Sequence, residues 1–132
     1  MNADSKRSLL EFTRAIARLK EYLDEPIQNH RDKSGIIQGF EFTYEIGWKT
    51  LRKAALPHGK TIGSAKQAFQ AALELGWIPE SEHEQWMQMI EDRNLTSHTY
   101  REELADQILA RIRSQHFGLL SGLASRLGVS LN

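Results

Sequence analysis

The chain has 132 residues, 40% hydrophobic and 26% charged, which is ordinary for one globular domain. Seventeen basic residues balance seventeen acidic ones, so a basic nucleic-acid coat is excluded and any RNA contact must be local or shared with a partner. The absence of cysteine excludes disulfides, thiolate nucleophiles and cysteine-ligated zinc, and it fits a cytoplasmic protein; no apolar run reads as a signal peptide or reaches the length of a membrane span.

In chain order, the first helix is expected from about Ser5 to Asn29. Leu9, Phe12, Ile16, Leu19 and Leu23 recur at three- and four-residue steps and make one apolar stripe, and Pro26 kinks or ends the helix. The second is expected from about Lys33 to Leu56. Ile36, Phe40, Tyr44, Gly47 and Leu51 form its stripe, Ile37, Trp48 and Ala55 widen it, and Phe42 and Ile46 lie on another side. So broad an apolar surface marks a central helix, or one facing both a core and a partner subunit. Pro57-His58-Gly59 ends it.

A shorter helix is expected over Ser64–Leu75, with Ser64 as N-cap and Gly76 as its stop. Ser81 and Glu84 are spaced as a capping box for a helix carrying Trp86, Met87, Met89 and Ile90. Thr99 and Glu102 repeat that spacing before a last helix that carries Leu104, Ile108, Ile112, Leu119, Leu123 and Leu127. No strand pattern, internal repeat or linker competes with these. The expected architecture is a single all-α domain over residues 1–132, an up-and-down bundle of about four long helices plus one short one.

Between the last two helices stands Arg93-Asn94-Leu95-Thr96-Ser97-His98-Thr99-Tyr100, an R-x4-H-x-Y element. Arginine is a permanent cation that holds a phosphate through two parallel hydrogen bonds, and histidine moves protons near neutral pH. On an unbroken helix Arg93 and His98 would lie roughly 140° apart and would not converge on one phosphate. The Thr-Ser-His-Thr cluster is poor in helix formers, so a break near Thr96–His98 is expected to turn the two toward a shared point, with Asn94 in reach of His98. Arg101 adjoins the element and is placed to touch an RNA backbone; Arg111, Arg113 and Arg126 read as a solvated helix face. Glu41, Glu45, Glu91 and Asp92 do not read as a metal site, and Glu41 and Glu45 with Lys49 read as a charge ladder. Trp48, Trp77 and Trp86 read as core or interface anchors, and His30, His58, His83 and His116 as incidental.

Two blocks carry a family resemblance over nearly the whole chain. One is Gly39-Phe40-Glu41-Phe42-Thr43-Tyr44-Glu45-Ile46-Gly47-Trp48-Lys49-Thr50-Leu51, and the other is Glu91-Asp92 with the R-x4-H-x-Y element. With these the chain resembles the HEPN superfamily and is most similar to its nucleotidyltransferase substrate-binding branch. The resemblance implies a helical homodimer whose motifs line one cleft, acting as the metal-independent endoribonuclease toxin of a toxin–antitoxin pair. It implies that Arg93 and His98 are the catalytic pair, Asn94 a supporting residue and Tyr100 the acceptor of AMP from a partner minimal nucleotidyltransferase, the antitoxin. No cofactor is expected, and metal is unnecessary because this route to RNA cleavage does not require a Lewis acid. The alternative is a non-catalytic substrate-binding subunit of a nucleotidyltransferase complex.

Overall fold

The computed structural model describes residues 2–130. Its helices are α1 (Ala3–Asp24), α2 (His30–Ala55), α3 (Ala65–Glu74), α4 (His83–Leu95), α5 (Glu102–Arg111) and α6 (Phe117–Ser130), and no strand occurs among the described residues. Helix α1 ends earlier than expected because Pro26 forces the preceding Glu25 into extended backbone (ψ 144°). Helix α2 begins earlier than expected because Asn29 caps it. The Asn29 side chain accepts from the Asp32 amide at 2.9 Å, while Asp32 accepts from the Gln28 amide at 2.8 Å.

α1 and α2 form an antiparallel hairpin, with Ser8 against Thr50 at one end and Tyr22 against Gly39 at the other. Gly47 permits the close approach: a Cβ there would stand 2.9 Å from the Phe12 ring. The stripes expected from periodicity form the core. Phe12, Leu19, Phe40, Leu51, Phe69, Trp86, Met89, Ile108, Ile112, Leu120 and Leu123 are all fully buried. Each contributes on the order of 1.5–3 kcal/mol of burial free energy. Helix α3 packs on α2 and α4, and α6 returns along α1 and α2.

Ser64 caps α3, accepting from the Gln67 amide at 3.2 Å, and Gly76 ends that region at φ +77°. Neither expected capping box forms. After Pro79 a 3-10 turn over Glu80–Glu82 puts Glu82, not Ser81, at the N-cap of α4, and the Glu82 carboxylate takes the Trp86 indole N–H instead. The Thr99 hydroxyl donates to the Thr96 carbonyl, which leaves Arg101 at the N-cap of α5. The expected last helix is interrupted by a π-turn over Ile112–His116, closed by the Phe117 amide donating to the Ile112 carbonyl.

Candidate functional site

The R-x4-H-x-Y element occupies the junction between α4 and α5. Arg93 sits in the last turn of α4, Thr96–His98 form a 3-10 turn, and Tyr100 and Arg101 precede α5. The turn follows from the chemistry of its threonines. Thr96 Oγ1 donates back to the Arg93 carbonyl at 2.7 Å and Thr99 Oγ1 to the Thr96 carbonyl at 3.1 Å, bonds that compete with helix continuation.

The side chains part company at this turn. Arg93 points inward to α2. Its Nη1 lies 3.2 Å from the Glu41 carboxylate and 3.0 Å from Thr96 Oγ1, and its Nη2 lies 3.6 Å from Glu45. Its Nε is buried and makes no hydrogen bond among the described residues. Asn94, His98, Tyr100 and Arg101 are exposed, Tyr100 at 81%. The His98 and Tyr100 rings meet edge to face with centroids 6.1 Å apart. No hydrogen bond joins Arg93 or Asn94 to His98 among the described residues. The structure therefore brings Arg93 together with two carboxylates and His98 together with Tyr100.

The Glu41 and Glu45 pairing replaces the charge ladder expected with Lys49, which forms no ion pair among the described residues. Glu45 also accepts from the Trp48 indole N–H at 3.0 Å, and Arg52 lies over the Trp48 ring. The Tyr44 hydroxyl, buried beside Glu45, is pushed up to about 12, mainly by burial. A cleft of about 270 Å³ opens between α2 and α5, lined by His30, Lys33, Ser34, Thr99 and Tyr100. No group of three or more His, Asp or Glu side chains converges as a metal site among the described residues.

The cluster that sequence reasoning missed lies one residue before Arg93. Asp92 is completely buried. Arg111 grips it with Nε at 2.7 Å and Nη2 at 2.8 Å, His116 Nε2 approaches to 2.7 Å, and Gln88 donates at 3.2 Å. Burial alone would push this carboxyl up. The hydrogen bonds from His116 and Arg111, with the Arg111 charge, outweigh burial and hold it below the ordinary aspartate value. The ionised carboxylate only accepts, so His116 donates from Nε2, and its buried Nδ1 has no partner among the described residues. The His116 ring stacks on Phe40 of α2 at 5.4 Å and 22°.

His116 is thus not incidental, and three of the arginines assigned to a solvated face are engaged. Arg111 holds Asp92, Arg113 donates to the Leu23 carbonyl at 2.8 Å, and Arg126 donates to the Trp77 carbonyl at 2.7 Å. One signal was available: Arg111 and His116 form a second R-x4-H spacing. On a regular helix its two ends would diverge by roughly 140°. The π-turn takes up the excess residue and turns both onto one carboxylate.

The family described as nucleotidyltransferase substrate binding protein like matches residues 7–128. A probable ribonuclease HepT of Haemophilus influenzae is 33% identical over 84 residues, covering 60% of this chain and 56% of that protein. The matched region thus spans little more than half the length of that curated relative. A Thermus thermophilus protein of known crystal structure is 30% identical with a TM-score of 0.75, covering 92% of this chain and 98% of that one.

Proposed function

Because the chain belongs to the nucleotidyltransferase substrate binding protein like family, a HEPN branch, we propose that it is a metal-independent endoribonuclease. It acts as the toxin of a toxin–antitoxin pair in the cytoplasm. The observation that carries this reading is the 3-10 turn after Arg93, which presents His98 and Tyr100 to solvent while Arg93 stays anchored. The name of the Haemophilus relative supports it.

In this reaction the ribose 2′-oxygen attacks the adjacent phosphorus and the 5′-oxygen of the next nucleotide leaves. The products are a 2′,3′-cyclic phosphate and a 5′-hydroxyl. His98 takes the proton from the attacking hydroxyl or gives one to the leaving oxygen, and the same histidine of a second copy in a homodimer takes the other role. Arg93 stabilises the charge that develops on the phosphoryl oxygens, with Asn94 as polar support and Arg101 on the RNA backbone. The phosphate must compete with Glu41 and Glu45 for the guanidinium.

Control falls to Tyr100. A partner nucleotidyltransferase attaches AMP to its exposed hydroxyl, adding bulk and an anion two residues from His98. Cleavage of total RNA in excess EDTA, compared with His98→Ala, tests the catalytic reading. Cleavage that persists in EDTA and vanishes in the variant supports it, and intact RNA in both lanes, with intact mass showing Tyr100 unmodified, overturns it. One observation favours a second reading, a non-catalytic subunit presenting substrate to a nucleotidyltransferase. Arg93 is already occupied by two carboxylates, as a structural arginine would be.

A further inference from the structure

We propose that the second R-x4-H element is a positioning device for the first. Arg111 and His116 clamp Asp92, and the clamp sets where Arg93 and Glu41 meet.

Two lines of contact lead from the clamp to the Arg93 guanidinium. Along α4, Asp92 immediately precedes Arg93, so fixing the Asp92 carboxylate from several sides fixes the last helical turn from which Arg93 projects. Across to α2, the His116 ring lies flat on Phe40, and Phe40 immediately precedes Glu41, the carboxylate 3.2 Å from Arg93. His116 therefore touches the neighbour of each partner in the Arg93–Glu41 pair.

The cost of this arrangement argues that it is more than filler. The Asp92 carboxylate and the His116 imidazole are completely buried and the half-buried Arg111 guanidinium closes over them, where well-packed apolar residues of similar volume are often neutral or stabilising by comparison. The helix is widened to a π-turn to deliver them, and His116 Nδ1 stays buried and without a partner among the described residues. Buried ionic groups fix geometry more reliably than they add stability, and a fully hydrogen-bonded carboxylate has one orientation where an apolar side chain has several. Arg93 is held at its tip by Glu41, Glu45 and Thr96, while its Nε is buried with no partner among the described residues, so the backbone beneath it and the position of Glu41 together set where the guanidinium sits.

The inference rests on the catalytic reading for its activity readout but not for its structural one. The structural probe is the Arg93 Nε–H resonance in a ¹H–¹⁵N spectrum, identified by its loss in Arg93→Lys. Buried as this group is, it is expected to be sharp and protected from exchange in the wild type. Asp92→Asn and His116→Leu are expected to stay helical, to lose that protection, and to lower kcat by up to about 10²-fold with KM little changed, as misplacement of a charged group does. His116→Gln, whose amide still donates to Asp92, is expected to restore both.

If Asp92→Asn does not fold, Arg111→Lys, which keeps the charge and loses the fork, replaces it. The proposal is overturned if the clamp variants melt at lower temperature yet keep the Arg93 resonance and cleave within about twofold of wild type per folded molecule. If the wild type cleaves no RNA, the catalytic reading fails, and the resonance alone decides whether the clamp positions Arg93.

Discussion

The two R-x4-H elements have the same spacing and opposite fates. Arg93 and His98 are separated by a 3-10 turn, which sends Arg93 inward and leaves His98 exposed. Arg111 and His116 are joined by a π-turn, which sends both to a buried carboxylate. On the proposed reading, the same two residue types are reactive equipment in one place and a structural clamp in the other. What separates them is local helix geometry: a tightened turn exposes the histidine, and a widened turn buries it. His98 has few contacts to lose, whereas His116 and Arg111 have every Asp92 contact to lose.

That contrast can be broken by exchanging the consequences of mutation. The largest effect expected is His98→Ala, which should lower RNA cleavage by about 10²–10⁴-fold, the usual worth of a general acid or base. Its melting temperature should match wild type, because surface changes stay within about 0.5 kcal/mol. Parallel cleavage assays and thermal melts check both halves. A variant that is as active as wild type or clearly less stable would erase the distinction.

Asp92→Ala, by contrast, should lose stability in a denaturant titration. Removing one partner of a buried ion pair costs about 3–5 kcal/mol, because Arg111 and His116 are left without their acceptor. The pH dependence sharpens this. The folded carboxyl lies below its unfolded value of about 3.9, so its contribution is complete above that pH and is lost as pH falls through the folded value. Acid unfolding of Asp92→Asn should therefore show a shallower loss of stability below about pH 4 than wild type. Parallel curves would mean that Asp92 is not the group being titrated.

Gly47→Ala should be milder, costing about 1–3 kcal/mol, since the added methyl meets the Phe12 ring and the hairpin must spread. The smallest effect belongs to Tyr100→Phe. Its stability and RNA cleavage should equal wild type, while silencing by the nucleotidyltransferase is lost. Co-expression with that partner followed by intact-mass measurement reads the outcome, and a variant silenced by adenylylation as readily as wild type removes Tyr100 from the account.

The contrast also marks what the chain discloses before folding. The stripe of Leu9, Phe12, Ile16, Leu19 and Leu23 is periodic and local, so the helix it implies is readable. Most of the turns are readable too, because Pro26, Ser64 and Gly76 act on their own backbone. The break at Thr96–His98 is legible for the same reason, since its threonine hydroxyls bond to carbonyls three residues back. The meeting of Glu41 and Glu45 with Arg93 is not legible, because the contact spans α2 and α4 and an intrahelical partner, Lys49, stands at a plausible spacing. Arg113 and Arg126 resemble solvated residues in sequence because their acceptors are backbone carbonyls of Leu23 and Trp77, which no side-chain pattern announces. The Asp92 clamp is hidden by the assumption of regular helix geometry, under which Arg111 and His116 cannot share a target.

The most direct test of the central claim is a matched pair of oligonucleotides incubated with the protein in EDTA, one all-RNA and one with a single 2′-deoxy nucleotide at the cleavage position. The RNA is expected to be cut to a 2′,3′-cyclic phosphate and a 5′-hydroxyl, the 2′-deoxy linkage to resist, and His98→Ala to cut neither. Equal cutting of both strands, a 5′-phosphate product, or unchanged cleavage by His98→Ala would contradict it.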